Sequence, residues 1–222
     1  MEQVQNVLVV GATGGTGRAA VEALLERGHR VTAFSRHAEA LGIESERLRM
    51  MNGDATDAND VERAVAGQDA VIVTLGITEN PFRVRLLGAA ATANDVRSAG
   101  TRNVIAAMQK HGVRRLVVQS SYGVGESRGK LRLVDSLFFN LLLKPQIADT
   151  EVQELEVKQS GVDWVLAQPV HLTDDVVDAP PFASLEGEVR EWKISRKSVA
   201  RFLASAIQDA SYLGKSVALS GA

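Results

Sequence analysis

The sequence predicts an α/β protein built on a doubly wound parallel sheet with helices on both faces. Short β-branched runs alternate with helical patterns along most of the 222 residues, which is the pattern of a sheet whose strands are joined by helical crossovers. A glycine cluster separates the first run from the first helical pattern. The composition, 45% hydrophobic but only 5% aromatic, supplies the aliphatic side chains that a sheet covered on both faces needs.

Taken in order, strands are expected at Val4–Val10, Arg30–Ser35, Arg47–Met51, Ala70–Thr74, Arg115–Gln119 and Trp164–Ala167. Helices are expected at about 15–27, 57–66, 93–111 and 147–160, and within 93–111 the residues Val104, Ala107, Met108 and His111 recur at three-to-four spacing. Right-handed crossovers then give a doubly wound sheet. Beyond Pro169 the pattern changes. Pro180-Pro181 marks a loop, Glu188–Ile194 reads as a strand, and Ser195 can cap a helix with the apolar face Val199, Phe202, Leu203, Ala206 and Ile207. Val217–Leu219 reads as the last strand. With no internal repeat or low-complexity tract, residues 1–222 are expected to form one domain, about 170–222 being a small C-terminal extension on the substrate side.

The net charge of −2 leaves no surplus of cations for a phosphate backbone, so nucleic acid is not an expected partner. Cysteine is absent, which excludes disulfides and thiolate chemistry. His29, His37, His111 and His171 lie apart, with no metal-ligand spacing, so no metal is expected. Residues Met1 to Asn6 are polar and lack the basic start of a signal peptide. The apolar run Leu131 to Leu143 is broken by Arg132, Asp135, Ser136 and Asn140 and is shorter than the roughly 20 residues that cross a bilayer. It reads as a buried or pocket-lining helix whose face Val134, Leu137, Phe138, Leu141 and Leu142 belongs to the core. No membrane partner, a cytoplasmic location, and a monomer or homodimer acting on a small molecule are the expectations.

Chemistry enters with Gly11-Ala12-Thr13-Gly14-Gly15-Thr16-Gly17, followed by a helical stretch from Arg18 to Arg27. Glycines there allow a tight strand-to-helix turn, backbone approach to a pyrophosphate, and close packing of helix on sheet, while the helix N-terminus offers free N–H groups to the anion. A Rossmann-type dinucleotide site is therefore expected, with Gly11, Thr13, Gly14, Gly15, Thr16 and Gly17 around the pyrophosphate. Where an NAD site carries an acid at the end of the second strand, this chain has Ser35-Arg36-His37. Arg36 can pair with a 2′-phosphate, so NADP (as NADPH) is the expected cofactor. Ligands lie outside the carboxyl ends of the strands, which adds Asp54 and Ala55 beside the adenine and Leu75 and Gly76 beside the nicotinamide ribose. Ser120-Ser121-Tyr122 and Gln168-Pro169-Val170-His171 should flank the reactive ring, with Ser120 and Pro169 counted as cofactor contacts.

These residues resemble the NmrA-like, atypical short-chain dehydrogenase/reductase group, and within it the flavin reductase/biliverdin-IXβ reductase type. The stretches that carry the resemblance are GATGGTGR at 11–18, GDATDANDVERAVAGQDAVIVTLG at 53–76, GTRNVIAAMQKHGVRRLVVQSS at 100–121 and SGVDWVLAQPVHL at 160–172, with ISRKSVARFL at 194–203 resembling the family's late helix start. The resemblance implies a Rossmann fold, NADPH as hydride donor, and a conjugated acceptor such as a flavin, taken as substrate, or a linear tetrapyrrole. It also implies a pyrophosphate loop at Gly11 to Gly17, a 2′-phosphate role for Arg36, an adenine contact at Asp54, a serine beside the nicotinamide at Ser121, and a histidine near the acceptor at His171.

Two features depart from the family. The Tyr-x-x-x-Lys pair is missing, since Tyr122 is followed four residues later by Glu126, and the loop Ile77 to Ala93 is longer and contains Arg83 and Arg85. Without that pair, acid catalysis of carbonyl reduction has no evident source, because an ordinary phenol, pKa about 10, needs a nearby cation to donate near neutrality. A flavin-like or quinone-like acceptor needs less help, since hydride enters a delocalised ring and solvent supplies the proton. Ser121 is then expected to position the nicotinamide or acceptor, Tyr122 to act as an aromatic wall or alternative donor, and His171, Arg83 and Arg85 to face the substrate. The segment Gln119 to Gly123 lacks the GxSxG elbow of a serine hydrolase. A non-catalytic NADP(H)-binding redox sensor is the alternative reading.

Overall fold

The computed structural model describes residues 4–76, 95–130, 144–175 and 179–222. Among them the strands are β1 (Asn6–Val10), β2 (Arg30–Ser35), β3 (Leu48–Asn52), β4 (Ala70–Val73), β5 (Arg115–Gln119), β6 (Asp163–Pro169), β7 (His171–Thr173), β8 (Phe182–Ser184), β9 (Lys193–Ser195) and β10 (Lys215–Ser220). The helices are α1 (Gly15–Glu26), α2 (Ala58–Val65), α3 (Val96–His111), α4 (Lys144–Gln159) and α5 (Arg196–Ala206), with short 3₁₀ turns at Ala38–Leu41, Gly125–Lys130 and Ala210–Tyr212. The main sheet runs β3-β2-β1-β4-β5-β6-β10-β8, parallel except for β8, while β7 and β9 form a separate parallel pair.

The alternation within β1 explains the two layers. Val7 and Val9 join the cluster containing Ala20 and Leu24 of α1 and Val199 and Leu203 of α5. Leu8 and Val10 join the opposite cluster, with Val61 and Val65 of α2 and Val104 and Met108 of α3. Because β1 is flanked by β2 on one side and β4 on the other, the chain reverses its winding there, and a crevice opens at the carboxyl ends of these strands.

Several boundaries differ from the expected ones. β6 is longer because its ladder starts at Asp163 opposite Arg115 and continues to Pro169 opposite Leu219. Proline is tolerated at that end because the next residue, Val170, donates its N–H to the Leu219 carbonyl. The expected strand Glu188–Ile194 shrinks to β9, with a single bridge from Glu191 to Gly221. The three-residue strands β7 and β8 are too short to leave a periodicity signal. Caps agree with local chemistry: Asp57 accepts from the N–H groups of Asn59 and Asp60 at the head of α2, and Ser195 accepts from the Ser198 N–H at 3.0 Å at the head of α5. The run Leu131 to Leu143, together with Arg83 and Arg85, lies outside the described residues. Among the described residues no helix is long and apolar enough to cross a membrane.

Candidate functional site

The glycine loop is shaped first by packing. Gly11 has φ +88°, and a Cβ there would sit 2.9 Å from the Thr74 carbonyl oxygen. A Cβ on Gly17 would overlap the Gly11 carbonyl oxygen, so α1 passes this close to the end of β1 only with glycine. Gly14 is the N-cap of α1 in extended conformation, and no side chain caps the helix. Its first-turn N–H groups are thereby left to an anion.

A cavity of about 690 Å³ opens in front of this loop, across the carboxyl ends of β1 to β5. Its lining includes Gly11, Thr13, Gly14, Gly15 and Thr16 of the loop, Arg36 and His37 after β2, Asp54 and Ala55 after β3, and Leu75 and Gly76 after β4. Asp54 is held by its neighbours: its Oδ1 accepts from the Thr56 N–H at 2.8 Å and the Thr56 hydroxyl at 2.7 Å, while its own N–H donates to Asp60. Two side chains of the lining carry buried acceptor atoms without a hydrogen-bond partner among the described residues, the Ser35 hydroxyl and Gln119 Oε1. Bare helix N–H groups, close-approach glycines and unsatisfied polar atoms along one crevice fit a dinucleotide.

The cavity also draws in Ser35 and His37, on either side of Arg36, and residues not expected at the site from the sequence: Arg97, Gln119, Leu172, Asp174 and Arg196. Arg97 lies beside Gly76, where a Cβ would meet its guanidinium at 3.2 Å. Burial pulls the Arg97 pKa down, with Asp149 acting in the opposite sense. The Asp149 carboxylate accepts the N–H groups of Arg97 and Ser98 at 3.0 and 3.1 Å, fixing the start of α3. Gln119 ends β5, a position whose strand alternation is readable in sequence; Arg97 and Arg196 carry no sequence signal beyond their charge.

The expected catalytic cluster is not assembled in this cavity. Ser120 is buried and donates to the Glu154 carboxylate, which also receives Gln168 Nε2 at 2.8 Å. The Ser121 hydroxyl turns back to the Tyr122 carbonyl at 3.3 Å. Tyr122 is 4% exposed, donates its hydroxyl to the Gly187 carbonyl at 2.9 Å and meets Trp192 edge-on at 5.7 Å, and burial raises its phenol pKa. His171 is exposed on β7, whereas its neighbour Leu172 lines the cavity; adjacent strand residues point to opposite faces, which turns the imidazole away. Pro169 is spent in the β6 ladder and Gly17 in helix packing, so neither borders the cavity. No cluster of metal-ligating side chains occurs among the described residues.

Comparison with known proteins gives the family and the fold. An NAD(P)H-binding family matches residues 11–210. An uncharacterized chloroplastic protein of Arabidopsis thaliana is 30% identical over 211 residues, covering 92% of this chain and 72% of the relative. A 3-beta-hydroxysteroid dehydrogenase of Mycolicibacterium neoaurum is 36% identical over 125 residues, 53% of this chain and only 32% of the dehydrogenase. The chain thus spans about a third of that enzyme's length. Among solved structures, a short-chain dehydrogenase/reductase of Veillonella parvula in complex with NADP superposes with a TM-score of 0.80 at 15% identity, covering 98% of this chain and 95% of the other. An anaerobillin reductase of Escherichia coli O157:H7 gives 0.76 at 22% identity, covering 96% of each chain. These two likenesses carry the fold. The chain belongs to the NAD(P)H-binding family of Rossmann-fold proteins.

Proposed function

We propose that this chain is an NADPH-dependent reductase that delivers hydride to a conjugated small-molecule acceptor of the flavin, linear tetrapyrrole or quinone kind. The observation that carries the reading is the continuous cavity from Arg36, across the uncapped start of α1, to Gln119. In this reading the N–H groups of Gly14 to Thr16 hold the pyrophosphate, Arg36 the 2′-phosphate, Asp54 the adenine amino group, and the backbone at Leu75-Gly76 the nicotinamide ribose. Bound NADPH supplies the hydride. Gln119, with its buried unpartnered oxygen, orients the carboxamide end in the role expected of Ser121. Leu172 keeps the acceptor side dry.

The proton is the discriminating issue. Tyr122 already donates its proton to Gly187 and its pKa is raised, so it supports the core rather than acid catalysis. A delocalised acceptor takes hydride without a protein acid and collects its proton from solvent. The anaerobillin reductase among the structural neighbours supports a tetrapyrrole as one member of the acceptor class. Arg83 and Arg85 remain proposed contacts for acidic groups of the acceptor. NADPH oxidation should be followed with FMN, FAD, biliverdin, dichlorophenolindophenol and quinones, alongside calorimetric binding of NADPH. At least one acceptor should raise the rate above background. Tight NADPH binding with no acceptor turned over would overturn the reductase and leave the redox sensor.

A further inference from the structure

Arg196 is the first residue of α5 and follows the capping Ser195. Its side chain reaches across to α1, where a Cβ on Gly15 would lie 2.6 Å from its Cδ and 2.9 Å from its Nε. Its Nη1 meets Asp174 Oδ1 at 2.7 Å, and the Asp174 side chain is 87% exposed. Both residues line the main cavity and also a side cleft of about 290 Å³ bordered by Gly15, Arg18 and Lys197. Arg196 is therefore the partition between the two spaces, laid over the glycine loop.

Its surroundings carry both signs: Glu22, Asp174 and Asp175 border the side cleft together with Arg18 and Lys197, and Glu22 is already paired with Arg18 at 3.1 Å. A helix N-terminus attracts anions and disfavours cations, yet this guanidinium lies against the start of α1 while sitting at the start of α5. Neither helix has an acidic residue in its first turn. Two positive helix ends and a guanidinium thus converge, and the carboxylate that meets them is the exposed Asp174, in the kind of ion pair that contributes little. A polyanion held between the guanidinium and the uncapped α1 N–H groups would satisfy both at once.

Resting on the dinucleotide reading above, we propose that Arg196 is a ligand of the cofactor's pyrophosphate: on binding, the guanidinium exchanges the Asp174 carboxylate for the pyrophosphate oxygens. The glycine at position 15 then serves a second purpose, since any side chain there would displace the arginine. The two arginines divide the recognition. Arg36 reads the 2′-phosphate that distinguishes NADPH from NADH, and Arg196 reads the diphosphate they share.

Calorimetric affinities of the full chain for NADPH and NADH, with melting temperatures, test the division. Arg196→Ala should lose about 10- to 100-fold toward both dinucleotides, the range for a charge-assisted hydrogen bond, leaving their ratio unchanged. Arg36→Ala should weaken NADPH alone. Inorganic pyrophosphate should compete with NADPH on the wild type and lose that competition in Arg196→Ala. Asp174→Asn is the decisive sign: removing a competing carboxylate should tighten NADPH binding, whereas a merely structural ion pair would weaken it, as in Arg196→Ala. If Arg196→Ala destabilises the chain, Arg196→Lys keeps the charge without the fork and should show a smaller loss for both dinucleotides. Unchanged affinity in Arg196→Ala, an altered NADPH/NADH ratio, or weaker binding in Asp174→Asn overturns the proposal. A wild-type chain that binds neither dinucleotide overturns the cofactor reading itself, and Arg196 with it.

Discussion

Gly14 and Gly17 stand three residues apart in one loop and answer to different demands. At Gly17 an added Cβ would overlap backbone, the Gly11 carbonyl oxygen, and backbone cannot rotate aside. At Gly14 the added atom would meet the same oxygen at 3.3 Å, and the cavity opens in front of it. Gly17→Ala should therefore cost folding stability, about 1–3 kcal/mol or more as for overpacking, read as a lower denaturant midpoint. Gly14→Val should keep nearly the wild-type midpoint and lose NADPH binding, because its side chain would stand before the bare N–H groups of α1. A Gly14→Val chain as unstable as Gly17→Ala would refute this division of labour. The motif as a whole was legible from its glycine spacing, but spacing does not say which Cβ meets backbone and which meets ligand. The same gap explains Gln119 and Ser121: the end of β5 was identified as a site, yet which neighbouring residue opens into the cavity depends on strand phase and on the turn that follows.

At the scale of the element, α4 inverts the usual pattern. Gln153 and Glu154 are buried, whereas Val152 and Leu155 are 44% and 54% exposed. Glu154 explains the inversion. Its carboxylate receives Ser120, just past β5, and Gln168 of β6, while Lys158 stands 3.9 Å from its other oxygen and also 3.3 Å from Glu126. One helix side chain thus ties together the ends of the two strands beside the cavity. The neighbouring turn is adapted to it: Gly125 has φ +55°, and a Cβ there would overlap the Glu154 Oε2 atom. Glu154→Ala would leave the Ser120 hydroxyl without its acceptor and Gln168 Nε2 with only the Val124 carbonyl in a dry interior, so a loss of about 2–3 kcal/mol is expected. Glu154→Gln keeps the acceptor oxygen and should lose less. Urea unfolding at constant slope checks both, and an alanine variant within about 0.5 kcal/mol of wild type would show the network to be passive. The helix was legible at about 147–160 from its length and bounding turns, but its buried face was not, because hydrophobic periodicity assigns glutamate to solvent.

Across the whole molecule, the parallel strands were the most legible feature because burial on both faces makes them continuous apolar runs, whereas β7, β8 and β9 owe their existence to tertiary pairing of segments only three residues long. What joins neighbouring elements within one layer at the surface is a set of carboxylates. Lys110 of α3 bonds Glu62 of α2 at 2.6 Å, and Arg114 holds Asp163 at the start of β6 at 2.9 Å. Within α2, Asp60 takes the Asp54 N–H and Arg63. These contacts lower all three carboxyl pKa values: Lys110 chiefly at Glu62, Arg114 chiefly at Asp163, and the Asp54 N–H ahead of Arg63 at Asp60. The sign follows from linkage. A carboxyl whose pKa is lower folded than unfolded stabilises fully above its unfolded value, 3.8 for aspartate and 4.5 for glutamate, and that contribution disappears as pH falls through the lower folded value. The melting temperature should therefore be level from neutrality down to about the unfolded values and then fall on further acidification, as protonation also turns the net charge of −2 strongly positive. Because these groups are still partly exposed, added salt should shrink the contribution of the ion pairs at neutral pH. Melting curves from pH 7 to pH 3 at low and high ionic strength measure both effects, and a melting temperature that rises on acidification below pH about 4 would show that these surface contacts do not stabilise the fold as described.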